Sequence, residues 1–202
     1  MSERLAGVKP VLQPHPVRNP GGDCFACATQ ALLAHLFPER EITFDQAYRY
    51  WQQESGVPCN HWTGTREAFY NAKRDFNIEI RLDYTPAYAD PEHFSGAWGG
   101  WIPRGSWNER LEGWIAAGWL AVAEIVLAGG GPLDSQGRHN AQDHFVVLDG
   151  ARQHWRQLDG GRAMKDHQTH VVCSARGAYW IDTHDLLMKH GAGALWLIRR
   201  ED

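Results

Sequence analysis

Apolar residues in this chain follow a helical rhythm in the first half and a strand rhythm in the second. From Cys24 to Phe37, the residues Phe25, Ala28, Leu32 and Leu36 recur at helical spacing, and Pro38 stops the run. The spacing predicts a helix over 24–37, with Asp23 as its N-cap and Cys24 in its first turn. Two more helices are predicted, Phe44–Glu54 ending near Gly56, and Arg66–Phe76 capped by Thr63 or Thr65. Ile78–Tyr84 alternates and reads as a strand. Trp107–Ala117 reads as a helix with Gly118 as its C-cap, and Leu120–Leu127 as a buried strand. Beyond that the β pattern takes over. His144–Asp149 is a β-branched apolar run, Gly150 opens a turn, His154–Asp159 alternates, and Gly160-Gly161 ends it. Thr169–Cys173 and Ala178–Ile181 read as a hairpin around Arg176-Gly177. Asp182-Thr183 caps a short helix to His190, and Ala194–Arg199 is the last strand. Helices first and an antiparallel sheet after predict an α+β domain.

With 202 residues the chain has enough material for one buried core and is short for two. Its 43% hydrophobic and 22% charged residues exclude general disorder. Three stretches escape the periodic pattern. Residues 1–22 carry Pro10, Pro14, Pro16 and Pro20 and read as an extended arm, and 85–106 and 129–143 read as long loops. The net charge of −4 and the lack of a long Lys/Arg run argue against a nucleic-acid partner. The most apolar stretch, Gly113–Gly131, is broken by Glu124 and by glycines, so no membrane partner is expected. The first twenty residues show no apolar signal-peptide region. Synthesis in the cytoplasm is therefore expected, with export or delivery by a signal-peptide-independent route left open. Four cysteines are too few for a disulfide scaffold and suit a reducing compartment. Most of the ten tryptophans are expected to pack, while those in 85–106 could form a docking surface.

The chemistry converges on Cys24. A thiol attacks as thiolate, and a helix N-terminus or a cationic His lowers its pKa. Cys24 follows a Gly21-Gly22-Asp23 turn that leaves room for a substrate backbone, and main-chain N–H groups at the helix start could hold an oxyanion. The base should come from a strand facing that start. His144 fits, because it begins an apolar strand after the glycine-rich loop 129–137. If the chain turns at Gly150, Asp159 returns beside His144, accepts its Nδ1–H and fixes the tautomer.

Gly22-Asp23-Cys24-Phe25, then Asp143-His144-Phe145-Val146-Val147, then Leu158-Asp159-Gly160, resemble the papain-like superfamily of cysteine hydrolases. The chain is most similar there to C39-like peptidases and to bacterial papain-fold toxin and effector domains, whose Cys-x-x-Cys-Ala helix start matches Cys24–Ala28. Related glutamine deamidases use Cys, His and Asp in this order. The resemblance implies a single papain-like domain over 1–202, with Cys24 as nucleophile, His144 as base and Asp159 as orienter. It also implies a protein substrate, no cofactor, and a neutralising or immunity protein as a further partner. A Gln about six residues before the Cys commonly helps form the oxyanion hole in this superfamily. That position here is Arg18, so Asn19 or Gln13 would have to serve.

Other readings coexist. Cys27 is the runner-up nucleophile, and both cysteines could be small buried residues. Cys24 and Cys27 with Cys59 and His61 offer four soft zinc ligands, although the spacing is not a standard knuckle and no metal is expected. His170 with Asp182 is a second His–Asp arrangement, ranked lower because Asp182 is explained as a cap. Asp143 and Asp149 read as solvated or turn residues, and His35 and His154 as surface positions. A catalytically inactive binding module on the same fold is the competing class.

Overall fold

Phe145-Val-Val-Leu148 is four apolar residues in a row, so it can be buried only where both faces of its strand are covered. The computed structural model of the chain, described over residues 4–12, 20–51, 62–84, 107–127, 142–161, 163–174, 177–187 and 191–202, provides that cover. The strands are β1 (Arg4–Leu5), β2 (Ile78–Tyr84), β3 (Leu120–Leu127), β4 (Gln142–Gln157), β5 (Ala163–Cys173), β6 (Gly177–Asp182) and β7 (Gly191–Arg200). They form one antiparallel sheet in the order β2-β7-β3-β4-β5-β6, with β1 paired to β4.

Helices α1 (Pro20–Leu36), α2 (Phe44–Trp51) and α3 (Trp62–Asp75) belong to one layer. Its centre is Phe25, fully buried between Trp51 at 4.6 Å, Phe69 at 5.2 Å and Phe145 at 5.2 Å in edge contact. Phe145, Val147, Val172 and Ile198 present the sheet to it. The other face carries Val146, Leu148, Val171, Cys173 and Leu197 against α4 (Trp107–Ala116) and the short α5 (Thr183–Asp185) with the turn after it. Helices on an antiparallel sheet make this an α+β fold, as the pattern predicts. A buried hydrogen-bond chain pins α4 and α5 to β5. Trp107 Nε1 donates to Thr169 Oγ1 (3.0 Å), and Thr183 Oγ1 donates to Asn108 Oδ1 (3.1 Å). The Thr169–Thr183 hydroxyl contact (3.0 Å) closes the chain. Because Thr183 has one proton and spends it on Asn108, Thr169 is the donor between the two.

Ile78–Tyr84 and Leu120–Leu127 form as expected, and α4 ends one residue early before Gly118, whose φ of 79° needs a glycine. Two expectations require correction. First, Gly21-Gly22 is not a turn before a capped helix. The helix starts at Pro20, whose fixed φ suits a first helical position, so Asp23 is a buried first-turn residue and not the cap. The 1–22 arm is likewise interrupted, since Arg4 and Leu5 pair with Ala151 and Gly150. Second, Gly150 opens no turn. β4 runs through it with a register shift against β5 between Leu148 and Gly150, a bulge that the missing Cβ allows. The bulge directs Asp149 inward. The carboxylate is fully buried, accepts the Val8 N–H at 2.9 Å and contacts His170 Nδ1, so it is not the solvated turn residue expected. Residues 85–106 and most of 129–143 lie outside the described residues; 142 and 143 already belong to β4.

Truncating Phe25 to Ala should lower unfolding free energy by about 3–5 kcal/mol in urea titrations, because three aromatic neighbours lose their partner. Asp149→Ala should cost about 1–3 kcal/mol for each buried group it leaves unpaired and should expose the 4–12 segment to limited proteolysis, with the cut site read by mass spectrometry.

Candidate functional site

α1 carries Cys24 in its second turn, because the helix begins four residues before it. The thiol is fully buried, packed in the same layer as Phe25 and Phe145. Burial pushes its pKa from 9.0 up to about 12. The main-chain N–H groups of Phe145 and Phe25 act the other way, while Cys27 and the Glu124 carboxylate add to the rise. Cys27, also buried, is pushed up to about 12 by desolvation first and by Asp23 one turn earlier. The expected thiolate at a helix start is therefore not what the resting site holds. An interior second-turn position gains little from the helix dipole and loses water.

His144 is the third residue of β4, opposite Ile125 on β3, and is buried, 6% exposed. Its Nε2 meets Ser174 Oγ at 3.2 Å. The main chain of its neighbour Phe145 is the group in contact with Cys24. The two expected residues thus come to one helix–strand junction, the thiol one residue along β4 from the His. Alternation gives Phe145 and Val147 to the Cys24 layer and Val146 and Leu148 to the opposite one. His144 shares the parity of Val146, and it is Ser174, at the end of β5, that holds its ring.

Asp159 does not return beside His144. It sits exposed in the β4–β5 turn, fifteen positions along (159 − 144) from the His. At about 3.3 Å per strand residue this is the far end of the strand. The cause is the missing turn at Gly150: the hairpin folds instead at Gly160 and Gly161, whose φ values of 86° and 76° suit a tight reversal. Gln157 pairs with Ala163 and Val146 with Cys173, and Ser174, the residue after the last of β5, is the one whose hydroxyl meets His144. Counting back along the hairpin does not give that partner, since the Gln157–Ala163 register leads to position 176 (157 + 163 − 144) and the register shift between Leu148 and Gly150 moves it only to 175 (146 + 173 − 144). Glu124, set opposite Phe145, could have been found from the β3 alternation.

Asn19, Gln13, Cys59 and His61 lie outside the described residues, as does the docking loop 85–106. Among the described residues no cluster of three His, Cys, Asp or Glu side chains could hold a metal. The alternative His170–Asp182 pair is not formed. Asp182 accepts the Asp185 N–H at 3.1 Å as the α5 cap, and His170 turns to Asp149 with Trp180 edge-on at 4.9 Å.

No protein-family model matches the chain, and no curated protein does. Among solved structures, a double-glycine motif protease from an AMS/PCAT transporter, crystallised with the leader peptide, is similar over 100% of both chains at 12% identity and a TM-score of 0.45. A likeness of that size does not establish a common fold.

Raised thiol pKa values fix the sign of the alkaline response. The folded chain keeps the Cys24 and Cys27 protons above pH 9.0, where the unfolded chain begins to release them. The stability they contribute is complete below that pH and is lost as pH rises toward about 12. Urea midpoints should fall between about pH 8 and pH 10.5 and fall less in Cys24→Ala. Asp159→Asn, at an exposed turn, should stay within about 0.5 kcal/mol of wild type.

Proposed function

We propose that this domain is a cysteine-dependent hydrolase of papain-like fold, acting on amide bonds of a protein substrate. Cys24 is the nucleophile, His144 the base, and Ser174 fills the orienting role that the sequence suggested for Asp159. The observation that carries this reading is the contact between Cys24 and the Phe145 main chain, which sets the thiol beside the residue that follows a buried, hydrogen-bonded His.

In this mechanism Ser174 accepts the Nε2–H, so the base acts through Nδ1. His144 takes the thiol proton, the thiolate attacks the substrate carbonyl, and the imidazolium returns the proton to the leaving amine. Water then releases the acyl group from sulfur. The buried thiol must first be uncovered by substrate, and a hydroxyl stabilises the imidazolium less than a carboxylate would. Peptide cleavage and glutamine deamidation share these steps and are separated by their products, new termini against a mass gain of about one dalton per site. A toxin or effector role, a neutralising partner and delivery out of the cytoplasm rest on the sequence resemblance alone.

The burial of Cys24, with its thiol pushed up to about 12, favours a second reading, a catalytically inactive binding module. Reaction with a peptidyl electrophile, mapped by mass spectrometry, separates the two. The hydrolase should form its adduct at Cys24, at least about 100-fold more slowly after His144→Ala, more slowly after Ser174→Ala, and unchanged after Asp159→Asn. Equal slow labelling of Cys24, Cys27 and Cys173, indifferent to His144, would sink the hydrolase and leave the binding module.

A further inference from the structure

Glu124 is the one charged residue in the β3 sequence, Leu-Ala-Val-Ala-Glu-Ile-Val-Leu, and the mechanism above leaves it unused. Directly opposite residues of an antiparallel pair share a face, so its register with Phe145 puts it on the side of the sheet that carries Val122, Phe145 and the Cys24 layer. Its strand neighbours Ala123 and Ile125 face the other way. The ladder to β7 breaks at the same point. Ala123 pairs with Leu195 and Ile125 with Gly191, so Glu124 alone stands against residues 192–194. A bulge of this kind re-aims a side chain and is common beside active sites. The Glu124 carboxylate is close enough to act on the Cys24 thiol, and Asp23 acts in the same sense on Cys27. Both carboxylates make the surroundings of the cysteine pair negative. Asp23 is fully buried, whereas Glu124 is half-buried and so open to an incoming group.

We propose that Glu124 is a specificity residue of the Cys24 site and receives the cationic side chain, lysine or arginine, of a basic residue flanking the scissile bond. The inference rests on the reading of Cys24 as nucleophile and names the class of substrate for it. A half-buried carboxylate accepts charge-assisted hydrogen bonds from an ammonium or a guanidinium, and it repels an acidic residue at the same place. The occupant also changes the nucleophile. Glu124 pushes the Cys24 thiol toward its protonated form, and a cation seated on Glu124 offsets that push. Selection of the substrate and activation of the thiol then come from one contact.

The first test is binding without chemistry, by fluorescence anisotropy on the Cys24→Ala chain. The probes are a labelled, N-acetylated hexapeptide of alanine with lysine at its two central positions, and twins with norleucine and with glutamate there. Acetylation removes the amino terminus as a second cation. The lysine peptide should bind at least about tenfold more tightly than the norleucine peptide, and the glutamate peptide more weakly than both. Adding Glu124→Gln should bring lysine and norleucine within about twofold of each other, and Glu124→Lys should reverse the order of lysine and glutamate. A merely structural Glu124 would weaken all three peptides alike, and urea midpoints check that the variants fold. The preference for lysine should shrink as salt rises. The proposal is overturned if the lysine peptide does not bind, if it binds no better than the norleucine one, or if Glu124→Gln keeps the preference. Peptidyl electrophiles of the same three sequences, applied to wild type, separate this inference from the reading beneath it. A lysine preference in binding with no adduct at Cys24 sinks the hydrolase and leaves the cation site, whereas equal adduct formation from all three leaves the hydrolase and sinks the site.

Discussion

Two-sided burial of β4 is the constraint on which the rest of the molecule depends. An apolar run of this kind cannot lie on a half-solvated sheet, so helices are required on both faces. Phe145 and Val147 face the layer of Phe25, and Val146 and Leu148 face α4 and the turn after α5. The strand then continues, through a bulge that buries a carboxylate against His170, into a hairpin with a basic, partly aromatic surface. One sixteen-residue element therefore carries the core, the His of the candidate site, the anchor for the N-terminal strand and the first half of the long β4–β5 hairpin.

The same constraint shapes the candidate chemistry. A cysteine packed against a two-sided strand is desolvated, and desolvation outweighs what the neighbouring N–H groups contribute to the thiolate. The thiol is covered, and burial favours its protonated form. In the proposed mechanism the proton passes to His144 at the moment of attack, with the Ser174 hydroxyl as a neutral partner of the ring. The 3.2 Å contact to the Ser174 hydroxyl holds the ring without placing a further carboxylate near thiols that already feel Glu124 and Asp23.

Elements whose pattern is set by their own residues were legible. Ile78–Tyr84 and Leu120–Leu127 emerge with the expected limits, since alternation and β-branching are local signals. The α1 start was not, because a proline followed by two glycines reads as a turn until burial of Asp23 and Phe25 outweighs glycine's cost in a helix. Gly150 misled for a related reason. A glycine in an apolar stretch serves a turn or a bulge equally well, and only the partner strands β1 and β5, far away in sequence, decide between them. That one choice moved the reversal from 150 to 160 and so exchanged Asp159 for Ser174. The placement of Cys24 and His144 does not depend on that choice, because each lies on the near side of it.

β7 lies between β2 and β3, yet it is the last strand in the chain. Ile78 pairs with Arg200, and Leu120 with Ile198. A ribosome therefore delivers the five helices and six strands described, β1 to β6, before the ribbon that joins β2 to the rest of the sheet exists. Until then Phe25 and Trp51 can meet Phe145 on β4, but Phe69 lacks Trp196 of β7. Closure is a late event of high sequence separation, the kind that slows folding and leaves sticky surface in waiting. The interval exposed to misassembly is the stretch of synthesis before β7 emerges, when Phe69 still lacks Trp196 and β2 has no partner among the described strands.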